Sequence, residues 1–473
     1  MTREVVVVGG GLAGITAAIT LRDAGFGVTV LESRPRLGGA ASSYARGPMT
    51  IDNGQHVFLR CCTAYQELLA RLGMTGAVTI QDRFDVTVLS PSGSARLRRT
   101  ALPSPLHLAG ALARYRLLSL RERAKVARAA LAFRFADPAN PALDSQRLGD
   151  WLAARGQGER ARRRLWDLFV VSALNVAGDD ASVQLATTVI KTALLGANDA
   201  ADIGMATVPL GDVHATAAAN LLEQIGVRVR LGSRVAALER LADGTFRVEP
   251  AHGELAEAAG VVAGGVVLAV PPAQAARLAA TAGLPQAPWA EVGHSPIVNV
   301  HVIYDRRVTA LPFAAAVDSP VQWVFDKTRQ AGLRSGQYLA VSLSAADSFV
   351  DRSSAALREL FVPALEQLFP AAAGAAITDF FVTRERHATF RQEPGSGALR
   401  PGAGTAVPGL TLAGAWTDTS WPDTMEGAVR SGHLAAQALI GELASRPAAL
   451  GSSALRSSAP GPGELDPTGA GVS

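Results

Sequence analysis

Four consecutive valines, Val5 to Val8, form the first apolar run, and glycines follow at once. A run that is apolar on both faces predicts a buried parallel strand. From Leu12 to Ala24 the apolar positions take helical spacing, and Val28-Thr29-Val30-Leu31 repeats the strand pattern. The same reading predicts a strand at 49–51, a helix at 63–72, and a hairpin from 86–89 and 95–98 across Ser90-Pro91-Ser92-Gly93. A helix-rich stretch follows, with helices at 106–135, 148–154, 159–174 and 182–195. Strands then return at 227–231, 234–238, 245–249, 266–270, 297–304, 321–325, 338–343 and 410–413, with helices at 354–369 and 425–445. The α/β pattern is therefore interrupted by inserts. From 447 onward Ser, Gly, Pro and Ala dominate without periodicity, which predicts a disordered tail.

The glycines between the first strand and helix carry chemistry. Gly9, Gly11 and Gly14 fit the G-x-G-x-x-G fingerprint of dinucleotide binding. The first allows a tight turn, the second lets backbone approach a pyrophosphate, and the third packs helix against strand. The helix that follows points free N–H groups at the phosphate. Glu32, 18 residues past Gly14, stands where an acid accepts ribose hydroxyls. Gly38 and Gly39 then permit a second close backbone approach, with Arg34 and Arg36 as phosphate candidates.

Composition narrows the setting. The 473 residues are 48% hydrophobic and 18% charged, enough for two or three domains with ample core. Of 45 basic residues only Lys125, Lys191 and Lys327 are lysine, and the net charge of +4 makes no case for nucleic acid. The two cysteines, Cys61 and Cys62, are adjacent, which is neither a disulfide framework nor a metal site. Reduced thiols, no signal peptide and no continuous apolar run of the ~20 residues a span needs predict a cytoplasmic protein.

Two motifs together suggest a family. Glu32-x-Arg34-x-x-x-Gly38-Gly39 continues the fingerprint, and Leu412-Ala413-Gly414-Ala415-Trp416 leads through Asp423-Thr424-Met425-Glu426-Gly427-Ala428-Val429. This pairing resembles the amine oxidase and phytoene desaturase flavoproteins. Residues 52–62, 163–175 with Trp166, Ser295-Pro296-Ile297-Val298-Asn299-Val300, 320–325 and Ala388-Thr389-Phe390 narrow the resemblance to squalene-associated FAD-dependent desaturases. These are the hydroxysqualene dehydroxylases of bacterial hopanoid pathways. The likeness runs from about residue 3 to 439. It departs at Ala415, where the family usually has an acid.

The resemblance implies an α/β fold. A Rossmann-type FAD-binding domain is built from discontinuous segments 1–84, 205–275 and 391–446, and a mixed α+β substrate domain from 85–204 and 276–390. FAD is expected to be non-covalent, held by Gly9, Gly11, Gly14, Glu32, Arg34, Gly38, Gly39, Gly54, Val235 (through its backbone, at adenine), Gly414, Met425 and Glu426. Asp423 and Glu426 also fit a helix capping box, and Trp416 and Trp421 are candidates for pocket wall or core. Asp52-Asn53-Gly54-Gln55-His56 is the most unusual polar cluster. The family places this segment beside the flavin ring, which makes Asn53, Gln55 and His56 catalytic candidates, His56 as a proton donor.

The implied reaction removes the hydroxyl of a C30 isoprenoid alcohol with hydride from reduced flavin, the electrons coming from an unidentified donor. Two alternatives stay open. One is a desaturase or amine oxidase running in the opposite redox sense; the other is a non-catalytic isoprenoid escort. A C30 substrate lives in the bilayer. Residues 103–135 combine Leu106, Leu108, Leu112, Leu117, Leu118 and Leu120 with Arg114, Arg116, Arg121, Arg123, Lys125 and Arg128. Such a basic amphipathic stretch predicts peripheral attachment at the inner face of the cell membrane.

Overall fold

The computed structural model describes residues 4–251, 260–284 and 286–445; the tail expected at 447–473 lies outside them. Glu4–Val8 is the middle strand of a five-stranded parallel sheet. Gly27–Leu31 and Arg228–Arg230 lie to one side, Gly265–Leu268 and Leu410–Leu412 to the other. The four valines are buried because both sheet faces are covered. Val5 and Val7 pack with Ile15 and Val429 from helices Leu12–Asp23 and Met425–Ser445. Val6 and Val8 pack toward the antiparallel meander Val235–Arg240, Phe246–Pro250 and Val261–Ala263. The two helices cross where a Cβ on Gly432 would fall 2.3 Å from the Ala13 carbonyl oxygen, so only glycine lets the backbones meet.

A second sheet has seven strands in the order Ile377–Thr389, Ser295–Tyr304, Gln337–Leu343, Trp323–Asp326, Phe313–Ala316, Asp85–Ser90 and Gly93–Arg98. Only the pairing of Phe313–Ala316 with Asp85–Ser90 is parallel. Side chains alternate across it. Val298, Val300 and Val302 pack toward helix Ser354–Leu368. Ile303, on the opposite face, packs with Met49 and Ile51 of the hairpin Ser43–Arg46 and Met49–Asp52. The site residue Asn299 shares that second face.

The structure corrects several expectations. The single helix expected at 106–135 is broken into Leu106–Leu108, Ala109–Arg114 and Leu120–Phe135. Ser119 restarts it with a capping box: its hydroxyl accepts the Glu122 N–H, and the Glu122 carboxylate accepts the Ser119 N–H at 2.7 Å. The 159–174 helix contains a π segment, Arg162–Trp166. Ile377–Thr389, thirteen residues long, escapes the sequence pattern. It is an edge strand, and its run Arg384-Glu385-Arg386-His387 masks the alternation with the charges edges carry.

Candidate functional site

The glycines of the first turn divide by what a side chain would strike. Gly9 has φ +108°, and its Cβ would lie 2.2 Å from the Ala269 carbonyl oxygen; a Cβ on Gly14 would lie 1.9 Å from that of Gly9. These two hold the turn against the sheet. Gly11 differs. The nearest atom to its Cβ position is the Cα of Gly39 at 3.7 Å, an ordinary contact, so nothing in the protein itself excludes a methyl there. Helix Leu12–Asp23 begins there with no acidic residue in its first turn and no side-chain cap. Its free N–H groups and dipole face a place suited to phosphate. Gly38 (φ +97°) and Gly39 (φ +58°) adopt left-handed backbone, and the Gly38 N–H donates to the Gly10 carbonyl at 2.9 Å. Arg34 donates to the Gly39 carbonyl at 3.1 Å and Arg36 to the Ser42 hydroxyl at 3.3 Å, so both arginines fasten this loop.

Glu32 is buried at the end of its strand. Its Oε2 accepts the Gly10 N–H and its Oε1 the Arg34 N–H, each at 2.7 Å. A carboxylate has lone pairs beyond these two for ribose hydroxyls. The Ser233 N–H donates to the Glu32 carbonyl at 2.8 Å, which brings Val235 close behind the acid.

At the other end of the chain, Leu410–Leu412 runs into Gly414, whose φ of +146° and whose N–H bond to Ser431 Oγ at 2.8 Å turn the backbone. Trp416 is core: its indole donates to the Val270 carbonyl at 3.0 Å and stacks on Trp289. Trp421 is half-buried under the Arg430 guanidinium. Buried Arg400, which carries no sequence signal, gathers the loop by donating to the carbonyls of Ala415, Trp416, Thr417 and Trp421. The expected Asp423–Glu426 capping box does not form. Thr424 Oγ1 accepts the Gly427 N–H, and Asp423 accepts the Phe390 N–H at 2.9 Å. Burial pushes the Asp423 carboxyl up to about 6. Glu426 accepts the Tyr65 N–H at 2.8 Å and the Arg430 guanidinium at 2.7 Å. Its carboxylate thus caps helix Thr63–Arg71.

The 52–56 segment joins the two sheets. Asp52 pairs with Lys327 at 3.1 Å and accepts from Ser43, the Leu210 N–H and Gln330. The Asn53 side chain accepts the Ser42 N–H at 3.0 Å and donates to the Ala40 carbonyl at 2.7 Å and to Glu385 at 3.1 Å. Gly54 backs onto His56: its Cβ would sit 3.1 Å from the ring Nε2 and 3.9 Å from Asn299 Nδ2. Burial holds His56 below the ordinary 6.5, Asp52 opposing the shift and Lys327 reinforcing it. Behind it, His214 is pushed down to about 4 by burial and is bonded to the Tyr65 hydroxyl at 2.7 Å. Both polar atoms of Gln55, and Oδ1 of Asn299, are buried with no partner among the described residues. Buried polar atoms are ordinarily bonded, so these mark the place of a missing ligand group. The uncapped helix start at Gly11, the left-handed Gly38-Gly39 turn and the ribose acceptor Glu32 fit the dinucleotide part of FAD.

Comparison with known proteins agrees. Residues 12–440 match the family described as flavin containing amine oxidoreductase. A hydroxysqualene dehydroxylase of Rhodopseudomonas palustris is 30% identical over 93% of this chain and 99% of its own. A 15-cis-phytoene desaturase of Narcissus pseudonarcissus is 25% identical over 92% of this chain and 79% of its own. Cyclohexylamine oxidase from Brevibacterium oxydans IH-35A shares the fold with a TM-score of 0.68 at 20% identity, covering 94% of this chain and 100% of that one.

Proposed function

For this chain, which belongs to the flavin-containing amine oxidoreductase family and is an FAD-dependent oxidoreductase, we propose reductive dehydroxylation of hydroxysqualene to squalene. The observation that carries the proposal is the end-to-end likeness to a hydroxysqualene dehydroxylase. Bound and reduced, FAD would supply the hydride. The C–O bond breaks, a C–H bond forms, and hydroxide leaves with a proton as water; a separate donor restores two electrons. Gly11, Gly39 and the start of helix Leu12–Asp23 hold the pyrophosphate without covalent attachment, Glu32 the ribose, and the backbone of Val235 the adenine. Gly54, Gly414 and Met425 would hold the flavin ring. His56 holds the proton that leaves with the hydroxyl. The FAD domain comprises 1–84, 205–275 and 391–446, and the seven-stranded insert receives substrate.

Substrate comes from a membrane surface. Among the described residues no helix is long and apolar enough to cross a bilayer. Helix Leu120–Phe135 buries Val126, Ala129 and Phe133. Opposite them, positions 120, 124, 127, 131 and 135 share one face at helical spacing. There Leu120 is 77% exposed, Leu131 52% and Phe135 78%. Arg121, Arg128 and Arg134 flank this stripe, and exposed Leu102 and Leu106 lie in the segment before it. Leu117 and Leu118 are buried and take no part.

The test is anaerobic incubation of dithionite-reduced holoenzyme with hydroxysqualene. Squalene is the expected product. No squalene, with dehydrogenation of a polyprene by the oxidised enzyme instead, would make the protein a desaturase.

A further inference from the structure

We propose that Gln55 and Asn299 are the polar anchor for the hydroxyl group of the substrate, an inference that rests on the dehydroxylase reading above. Asn299 is fully buried on strand Ser295–Tyr304. Its Nδ2 donates to the Asn53 carbonyl at 3.2 Å, which fixes the carboxamide and leaves Oδ1 without a partner among the described residues. Gln55, one residue past Gly54, has both Oε1 and Nε2 buried and unpaired. Neighbouring polar groups are satisfied: Asp52 and Asn53 as described above, and His301 through Tyr338 at 2.7 Å and Thr383 at 3.0 Å. Against these satisfied neighbours, the two amides stand with unmet capacity. It comprises acceptors on both residues and a donor on one.

An alcohol matches that capacity. A hydroxyl has one O–H to donate and two lone pairs to accept. Asn299 Oδ1 takes the O–H, and Gln55 Nε2 donates to the oxygen. The surroundings suit the rest of such a molecule. Along the sheet, Asn299 pairs in register with Ser342 and Ser342 with Trp323, so the three share a face. Trp323 stacks with Phe325 and tilts against Phe313, and its indole N–H is already bonded to Ser172. One polar station beside an aromatic surface is the pattern for a hydrocarbon bearing a single oxygen. The flavin ring also offers donors and acceptors, but Asn299 belongs to the insert and lies in the row with Trp323, on the substrate side. When the C–O bond breaks, negative charge grows on the departing oxygen, and the Gln55 N–H bond strengthens as it does. The anchor therefore both selects the alcohol and eases its loss.

The test uses the oxidised holoenzyme, titrated separately with hydroxysqualene and squalene while flavin absorbance is followed. A site built for a hydroxyl discriminates strongly against the analogue that lacks it. Gln55→Leu and Asn299→Leu should each weaken hydroxysqualene binding about tenfold, the effect of losing one hydrogen bond, with squalene binding and FAD occupancy unchanged. Gln55→Leu is the cleaner variant, because Gln55 has no side-chain bond among the described residues to lose. Unchanged hydroxysqualene affinity in both variants overturns the anchor. Loss of FAD, or an altered flavin spectrum before ligand is added, also overturns it, by assigning the amides to the ring. Failure of the dehydroxylase reading looks different: wild-type reduced enzyme then yields no squalene. Squalene production by wild type, with variants binding the alcohol as wild type does, sinks the anchor alone.

Discussion

Gly11 and Gly14 are three residues apart, and a methyl group separates their roles. On Gly14 it would collide with the Gly9 carbonyl; on Gly11, whose backbone is extended at φ −77°, it makes only an ordinary contact with Gly39 Cα at 3.7 Å. Gly11→Ala should therefore leave the melting temperature of the apoprotein near wild type while flavin retention on gel filtration is lost. Gly14→Ala should lower apoprotein stability outright. A Gly11→Ala protein that keeps its FAD would remove the phosphate from this turn. His56 gives a second residue-scale outcome. Its folded pKa lies below 6.5 because burial disfavours the imidazolium. The acid form is thus a minor species at neutral pH, and it grows as pH falls. Single-turnover dehydroxylation should rise below pH 7, with its inflection below 6.5, and His56→Ala should lose this rise with FAD still bound. A variant with the wild-type rate and pH profile would leave His56 a packing residue.

Helix Thr63–Arg71 begins on Glu426, 361 residues away in sequence. Glu426→Ala leaves the buried Tyr65 N–H without its acceptor and Arg430 without its partner. Such losses cost about 2–4 kcal/mol, to be read in urea denaturation; Glu426→Gln should recover part by keeping an acceptor oxygen. Wild-type stability in Glu426→Ala would show the contacts to be incidental. This element also shows where sequence reading stops. Gly9, Gly14, Glu32 and the run 425–445 were legible because strand, turn, helix and acid lie within one short stretch, or because one long helical period spans the element. Asp423 and Glu426 have the spacing of a local cap, yet each bonds a distant segment, and spacing cannot reveal that. Arg400 had no signal of its own, and Asn299 stood in a family-like stretch with no role attached to it. Their meaning comes from the carbonyls and unpaired atoms that tertiary packing gathers around them.

At the scale of the molecule, the outward stripe of Leu120–Phe135 gives a binding prediction. The protein should sediment with anionic liposomes at low salt and less at high salt, since surface charge attraction is screened. Reversing Arg114, Arg116 and Arg121, all exposed, should release it with flavin retained. A wild type that never sediments would make this face ordinary surface. The five-stranded sheet has a consequence in time. Its middle strand, Glu4–Val8, pairs with Gly265–Leu268, which in turn needs Leu410–Leu412, and helix Met425–Ser445 then closes over Leu12–Asp23. Residues 4–8 must wait for residues 410–445, and contacts so remote in sequence form slowly. The insert can compact on the ribosome while the first strand is still without its neighbours. Cofactor loading then comes after synthesis has passed Ser445. Nascent chains stalled at residue 400 should resist protease across 295–389 yet retain no flavin, whereas flavin held by such chains would show that the first turn and Glu32 suffice.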